Sequence, residues 1–336
     1  MALYLLFLVV IGTPLMLAAI TLGRKTQLSV FGAYKSIDKR WAFVGALAVI
    51  CGFVILAFYS AVGGWILYYF KNAITGSLNT TEPEVLSGIF SNLINSPKTL
   101  IFYQFIFMLM TAFIVTNGIK KGIESSSKIM MPGLFILLII IAIRSITLPG
   151  SMAGIKFLLV PDFTKLNMNV AKNAMGQMFF SLSIGMGVMI TYGSYLDKEE
   201  NLLSTAVSIP ILDTLAALIA GFATIPAVFA LGFEAGEGPG LIFITLPAVF
   251  ASMPMGQLFC IAFFLMVTFA ALTSSMSMLE ICVSYFVDEQ NKGRAQSTLL
   301  LSAIIFLLGI PASLSLVEGS RFKIGSLTFF DMYDKL

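Results

Sequence analysis

The sequence predicts an all-α integral membrane protein with about eight membrane-spanning helices. Hydrophobic residues occupy 58% of its 336 positions and charged residues 11%, whereas soluble domains average about 45–50% and about 25%. A soluble protein with this balance could not cover its surface with polar groups. Eight apolar runs have roughly the 20 residues that a span needs, at 2–23, 42–70, 99–118, 129–148, 173–196, 204–232, 256–286 and 297–316.

Composition also excludes several other classes of protein. The apolar runs are continuous rather than alternating, which argues against a transmembrane β-barrel. A net charge of +3 is too small to indicate nucleic-acid binding. The sequence has no histidine, which excludes histidine-based metal sites and triads, and its three cysteines all lie in apolar runs, where they are expected to be buried.

Lysine and arginine concentrate in every second loop, which predicts the orientation of the spans. The odd-numbered runs should pass from the outside to the cytoplasm, so Met1 should lie outside. No basic segment precedes the first run, so it is not a convincing signal peptide, and at least one further span is expected upstream. The basic loops contain Arg24, Lys25, Lys35, Lys39 and Arg40, then Lys120, Lys121 and Lys128, then Lys292 and Arg294.

The fifth run is rich in glycine and serine, which predicts a weak or broken helix. Glycine costs about 1 kcal/mol relative to alanine inside a helix. Broken backbone in a membrane is tolerated only where it is buried or lines a cavity, as at binding sites of transporters. Close packing of small residues explains the pattern equally well. Further interruptions are predicted at Pro132–Gly133, which open the fourth run, and at Pro226 inside the sixth. The fifth-run residues are Gly176, Ser181, Ser183, Gly185, Gly187, Gly193 and Ser194.

The seventh run carries four hydroxyls within five positions, Thr273, Ser274, Ser275 and Ser277. Hydroxyl oxygens and backbone carbonyls suit a hard cation such as sodium. Equally, each hydroxyl can bond to the carbonyl one turn earlier, which is common in membrane helices. The pattern alone leaves both interpretations open.

Two acids, Asp213 and Glu280, fall within apolar runs. An ionisable group at membrane depth is costly and indicates function by default. Asp213 could bind a cation or act as a fixed counter-charge, unless it lies near enough to the cytoplasm to reach water. For Glu280 a functional and a structural role are equally compatible with the sequence.

Five strings, in this order along the chain, resemble the neurotransmitter:sodium symporters, and in particular their bacterial amino-acid-transporting branch. They are GTPLMLAAITLGR, GIKKGIESSSKIMMPGLFIL, GQMFFSLSIGMGVMITYGSY, GLIFITLPAVF and FAALTSSMSMLE. The resemblance implies a leucine-transporter-type fold, in which two inverted repeats of five spans are followed by two more. Residues 1–336 would then form one transmembrane transporter domain covering spans two to nine, without the first span and those after about residue 330.

The resemblance also implies substrate contacts. Tyr59 would hold the substrate carboxylate, Phe180 would cover the substrate, and Ser183 would lie near its amino group. Met186 stands where the family often has an aromatic residue. The implied apolar pocket indicates an apolar or aromatic substrate side chain. The full implied set is Ile55, Tyr59, Phe180, Ser181, Ser183, Met186, Ser274 and Met278.

Two sodium sites follow from the same resemblance. Ser181 matches a ligand of the first sodium ion, and Asp213 aligns with a region that holds either another ligand or the charge that replaces chloride. Chloride-independent coupling is therefore expected. The second site would consist of the Ala270 carbonyl and the hydroxyls of Thr273 and Ser274.

Gate residues are implied as well. Asp334 resembles the acid of the outer gate, and Asp288 with Ser194 and Tyr195 resembles the inner gate. The arginine partners of both acids would lie outside this chain.

The implied function is sodium-coupled symport of an amino acid or related small amine by alternating access. The protein would be a multi-pass protein of the plasma membrane, specifically of a bacterial inner membrane. Its partners would be sodium, the substrate and the lipid bilayer, with no organic cofactor and no nucleic acid. The oligomeric state is not predicted.

A second hypothesis is a non-transporting, truncated relative that acts as a binding or partner subunit. A membrane enzyme is disfavoured, because the loops contain no acid–base pair, metal cluster or phosphate loop. A chain that begins at Met1 is expected to be inactive alone.

Overall fold

A computed structural model describes residues 1–162, 164, 166–230, 239–324 and 327–335. Among these residues, seven continuous helical segments are long and apolar enough to span a membrane. The segments are Ala2–Thr26, Lys39–Ile74, Pro97–Thr116, Ile119–Ile146, Leu202–Ala230, Gly256–Gln290 and Arg294–Ser315. The fifth predicted run, 173–196, instead forms two separate helices. The predicted helical membrane fold is confirmed.

The chain is almost entirely helical in the part that the structure describes. Two short strands, β1 (Lys323–Ile324) and β2 (Leu327–Thr328), form an antiparallel pair. Single π-helical turns occur at Leu8–Gly12, Ile119–Glu124 and Leu241–Thr245, and a 3₁₀ turn at Lys39–Trp41. The α-helices are α1 (Ala2–Phe7), α2 (Thr13–Thr26), α3 (Val30–Ile37), α4 (Ala42–Ile74), α5 (Pro83–Ile94), α6 (Pro97–Thr116), α7 (Ser125–Ile146), α8 (Met152–Leu159), α9 (Met168–Ser181), α10 (Val188–Gly193), α11 (Leu202–Ala230), α12 (Leu246–Ala251), α13 (Gly256–Gln290), α14 (Arg294–Ser315) and α15 (Phe329–Lys335).

The first of two compact units comprises Met1–Phe53, Val160–Ala217 and Ser277–Leu301. One apolar cluster joins α3, α4 and α10 to the end of α13 through residues such as Val30, Val49 and Ile281. A second cluster joins α2, α9 and α11 around Met16 and Met178. The two helices of the fifth run, α9 and α10, are therefore each anchored in an apolar core.

Helices α2 and α10 approach so closely that their backbones touch. A methyl group on Gly193 would lie 2.7 Å from the carbonyl oxygen of Ile20. In return, a methyl group on Gly23 would lie 2.8 Å from the amide nitrogen of Ser194 and would also collide with the Ile190 carbonyl. Small residues at crossings allow such contact between membrane helices. Each helix thus contributes one glycine to a reciprocal contact, which we call the glycine crossing.

The second unit comprises Val54–Leu159, Leu218–Met276 and Ser302–Leu336. Aromatic rings fill part of its core: the indole of Trp65 packs edge-on against Phe90 and Phe243 and stacks on Phe330. A buried amide also crosses this core, because Gln104 donates to Ser60 at 3.0 Å and accepts from Ser313 at 2.7 Å.

Two predicted interruptions are wrong. Pro226 lies inside the continuous helix α11 (Leu202–Ala230), and Pro132 lies within α7 rather than near the start of its span. That span begins at Ile119, ten residues before the predicted boundary. Proline inside a membrane helix is tolerated because the freed carbonyl finds another partner or the helix adjusts locally. Proline alone is therefore a poor indicator of a broken membrane helix.

Candidate functional site

The fifth run is broken at its centre, as its glycine and serine content predicts. Helix α9 ends at Ser181 and α10 begins at Val188. Between them φ is positive at Ser183 (51°), Gly185 (99°) and Gly187 (79°). Glycine adopts these angles readily, whereas Ser183 does so at a cost of about 1–2 kcal/mol. The segment 182–187, here called the break, therefore leaves backbone groups without the regular helical partners.

A carboxylate lies beside the start of the break. Ser181 Oγ donates to Asp213 Oδ2 at 2.6 Å, and the hydroxyl of Tyr4 donates to the same oxygen at 3.0 Å. Asp213 is half-buried on α11. No lysine or arginine in the described ranges forms an ion pair with it. The structure thus brings Ser181 and Asp213 together, and their role as a cation site stays a prediction.

Tyr4 is a contact that the sequence reasoning missed. The available signal was a single phenol within the otherwise apolar first run. A buried phenolic hydroxyl usually finds a hydrogen-bond partner. Nothing in the sequence indicated that this partner is Asp213, 209 residues away.

The break also lines a cavity of about 330 Å³. Ser183, Gly185 and Gly187 form one side of the cavity, and Ala18 and Ala19 of α2 form part of another. Ser181 and Asp213 are not among the residues that line it. The cavity and the carboxylate cluster therefore lie at neighbouring but separate positions along the break.

The implied substrate contacts divide between the two units. Phe180, Ser181, Ser183, Met186 and Met278 belong to the first unit. Phe180 has an exposed fraction of 62%, whereas Met278 is buried and Met186 packs partly buried against the core around Val30. Ile55, Tyr59 and Ser274 belong to the second unit.

The hydroxyls of α13 point in different directions. Thr273 Oγ1 donates to the Ala270 carbonyl at 2.9 Å, one turn earlier. Ser275 is fully buried, donates to Leu272 and pairs with Thr111 of α6 at 2.8 Å. The structure therefore shows both the back-bonding expected for membrane hydroxyls and an interhelical contact.

Ser274 occupies a different environment from Ser275. Its side chain is exposed and lies beside the Tyr59 hydroxyl of α4. Ile55 is one turn before Tyr59 on the same helix, so the two side chains share a face. In the second unit, the structure thus brings one implied sodium ligand next to one implied substrate contact.

The Glu280 carboxylate is buried and paired with a cation. Glu280 has no exposed surface, and its carboxylate forms an ion pair with the Arg294 guanidinium of α14. Tyr195 donates to the same carboxylate at 2.5 Å. One turn away, the Tyr192 and Ser277 hydroxyls lie 2.6 Å apart. The sequence placed Glu280 at membrane depth but gave no means of identifying Arg294 as its partner.

The implied gate residues have hydrogen bonds with other partners. Asp288 accepts from the backbone N–H of Ser29 at 2.6 Å, and Ser194 donates to the Thr191 carbonyl. Whether Asp288, Ser194 and Tyr195 form a gate stays a prediction. Asp334 lies in α15, but its side chain falls outside the described part of the chain.

Comparisons with known proteins agree on one family. The model of the sodium:neurotransmitter symporter family matches residues 89–335. The sodium-dependent transporter YhdH of Bacillus subtilis is 41% identical over 333 residues, which cover 98% of this chain and 74% of the relative. A sodium-dependent transporter of Haemophilus influenzae is 38% identical, covering 99% and 76%.

A solved structure agrees with this assignment. The crystal structure of MhsT in complex with L-phenylalanine matches with a TM-score of 0.91 and 44% identity. The match covers 99% of this chain and 76% of that one. The chain therefore belongs to the sodium:neurotransmitter symporter family and is a sodium-dependent, multi-pass membrane transporter.

Proposed function

We propose that the protein carries out sodium-coupled symport of an amino acid with an apolar or aromatic side chain, by alternating access. The observation that carries this proposal is the cluster of Asp213, Ser181 and Tyr4 beside the break. A carboxylate at membrane depth without a cationic partner is costly, and a bound cation would remove that cost.

Sodium suits the Asp213 cluster. It is a hard cation that prefers oxygen ligands, and Ser181 and Asp213 present hydroxyl and carboxylate oxygens 2.6 Å apart. A negative charge beside the ion offsets much of the cost of removing its water. Because Asp213 supplies that charge, coupling should not require chloride.

A second sodium ion is proposed at Ala270, Thr273 and Ser274. The Thr273 hydroxyl donates to the Ala270 carbonyl at 2.9 Å. Sodium binding would exchange this hydrogen bond for two oxygen–sodium contacts without unwinding the helix. The exchange is local, which favours reversible binding.

The substrate class rests on two kinds of residue. Tyr59 and Ser183 are the proposed contacts for the charged ends of an amino acid. Ile55, Met186 and Met278 are the proposed apolar contacts, and Phe180 is the proposed cover. The relative MhsT is described in complex with L-phenylalanine, which supports an aromatic amino acid among the substrates. Methionine side chains adapt to several shapes.

The proposed mechanism involves no covalent chemistry and no organic cofactor, and we propose a transporter rather than an enzyme. Uptake would draw on the sodium gradient and on the membrane potential, which contributes about 2.3 kcal/mol per charge per 100 mV. Asp288, Ser194, Tyr195 and Asp334 are proposed to control access to the site. The alternative role, a binding or partner subunit that does not transport, predicts sodium and substrate binding without uptake.

The decisive experiment measures thermal stability of the purified protein, including any segment that precedes Met1, in sodium and in potassium, with and without each amino acid. A ligand present at 100 times its dissociation constant stabilises the folded state by about 2.7 kcal/mol. Sodium should raise the melting temperature, an apolar or aromatic amino acid should raise it further, and replacing chloride by gluconate should change nothing. Asp213→Asn, Ser181→Ala and Thr273→Ala should each weaken the sodium effect.

Ser275→Ala is the matched control, because Ser275 is a hydroxyl on α13 outside the proposed sodium site. It should keep the full sodium response. If Asp213→Asn and Thr273→Ala both respond to sodium as the unmodified chain does, the sodium sites are wrongly assigned. Uptake by vesicles containing the protein then separates the transporter from the non-transporting alternative.

A further inference from the structure

A second, smaller cavity lies where α13 turns into α14. It has a volume of about 120 Å³ and is lined by Phe286, Lys292, Gln296, Ser297, Leu300 and Leu301. All six residues belong to the first unit. None of them contributes to the proposed substrate site or to either proposed sodium site.

A buried hydroxyl in this cavity lacks a partner. Ser297 has an exposed fraction of only 2%, and its Oγ makes no hydrogen bond to any residue in the described ranges. Its neighbour Thr298 instead donates to the Arg294 carbonyl at 2.9 Å. Buried hydroxyls are normally satisfied, so an orphaned one indicates a missing acceptor.

The electrostatics of the cavity favour an anion. Lys292 lies over the Phe286 ring at 5.5 Å and forms no ion pair with the described acids. The N-terminus of α14, at Arg294, adds the positive end of a 22-residue helix dipole. A bound anion would therefore meet a full positive charge and a partial one.

The acids packed around this turn are engaged elsewhere. Glu280 is paired with Arg294, and Glu289 with Lys35 at 2.6 Å. Asp288 accepts from the backbone of Ser29. Among the described residues, no acid is paired with the ammonium group of Lys292, so its charge is available to a ligand in the cavity.

The depth of the cavity indicates the source of the anion. Leu299 and Leu300 have exposed fractions of 58% and 48%, as expected for side chains that face lipid. Leu300 is four residues beyond Gln296, a rise of about 6 Å along the helix. The turn also belongs to a basic loop, which the positive-inside rule assigns to the cytoplasmic face. The cavity therefore lies at the level of phospholipid headgroups.

We propose that this cavity binds the phosphate of an anionic phospholipid. Lys292 supplies the counter-charge, Ser297 and Gln296 donate hydrogen bonds to phosphate oxygens, and the acyl chains run along Leu299 and Leu300. The volume admits a phosphate group and leaves the rest of the lipid outside, along the helix surface.

The test measures lipid binding to the purified chain in detergent by native mass spectrometry. The probes are phosphatidylglycerol, phosphatidylcholine and inorganic phosphate. Phosphatidylglycerol should bind at least about tenfold more tightly than phosphatidylcholine, since its charge is not cancelled by a headgroup cation. Lys292→Gln should weaken this binding by about tenfold and Ser297→Ala by about threefold, while Lys292→Arg should retain most of it.

Two matched controls separate the site from general effects. Ser302→Ala removes another buried, unpartnered hydroxyl of α14 that does not line the cavity. Lys121→Gln removes an exposed charge from another basic loop. Both variants should bind phosphatidylglycerol as the unmodified chain does, and melting temperatures without lipid should establish that every variant folds.

Three results would overturn the proposal. In the first, Lys292→Gln binds phosphatidylglycerol as tightly as the unmodified chain. In the second, Ser302→Ala loses as much affinity as Ser297→Ala. In the third, inorganic phosphate binds as tightly as phosphatidylglycerol, which would make the site one for free anions. Because the readout is lipid binding, none of these results depends on sodium-coupled transport.

Discussion

Two segments of this chain are similarly rich in small and hydroxyl residues but differ in backbone structure. Residues 176–195 unwind between Ser181 and Val188, whereas residues 269–280 remain inside the continuous helix α13. The broken segment contains Gly185 and Gly187, both with positive φ. The continuous segment contains hydroxyls but no glycine.

The difference shows that hydroxyl and glycine residues have different effects on a membrane helix. A hydroxyl on α13 can bond to a carbonyl of the same helix, as Thr273 and Ser275 do, so the helix continues around it. Glycine removes the steric preference for helical angles and makes a left-handed turn affordable. The continuous helix presents side-chain oxygens, and the broken one presents backbone groups.

The largest expected loss of stability comes from breaking the ion pair of Glu280, which tests whether α13 depends on paired polar groups. Arg294→Gln should destabilise the protein by about 3–5 kcal/mol, because it leaves the buried Glu280 carboxylate without its cation. The measurement is unfolding of the purified chain in a denaturing detergent. Glu280→Gln combined with Arg294→Gln should recover much of the loss. A double variant as unstable as Arg294→Gln alone would contradict this explanation.

The next effect tests whether the break depends on glycine itself. Gly187→Ala should cost about 2–4 kcal/mol, because it places a side chain at positive φ and brings a methyl group within 2.6 Å of Val30. Gly176→Ala is the control, because Gly176 lies in α9 and a methyl group added there would have no atom of another residue within 4 Å. The control should be neutral or stabilising by about 0.5–1 kcal/mol. Equal melting temperatures for the two variants would argue against a glycine requirement.

The smallest effect distinguishes two hydroxyls two positions apart on α13. Ser275→Ala removes the contact with Thr111 and should cost about 0.6–1 kcal/mol of stability, without changing the sodium response. Thr273→Ala should cost less stability but weaken the sodium response. Measuring melting temperature in sodium and in potassium gives both quantities. The opposite assignment of the two effects would place the sodium ligand on the other hydroxyl.

The sequence was most informative where a single physical signal dominates. Apolar run length predicted the spans because hydrocarbon thickness fixes it, and clustered glycine predicted the break. It failed where partners are distant in sequence: neither Tyr4 with Asp213 nor Arg294 with Glu280 could be inferred, since hydrogen bonds leave no periodicity. The helices α5, α8 and α12 were also missed, because they lie in connecting segments that the span analysis treated as loops.

For proline, the error was a break that was predicted but does not occur. Pro226 was expected to interrupt its span because it removes a backbone donor, yet α11 continues through it. The local rule is sound for an isolated helix, but the membrane penalises unpaired backbone groups so strongly that the helix is retained with a local adjustment.

The glycine crossing restricts how the chain can move around the break. Because the α2 and α10 backbones touch at Gly23 and Gly193, sliding one helix along the other would bring a larger residue into a gap that has no room for a methyl group. The two helices should therefore move together as one rigid body. Any tilt at residues 182–187 would then move α9 relative to α2 and α10 together, rather than relative to α10 alone. The six residues of α10 would carry the longer helix α2 with them.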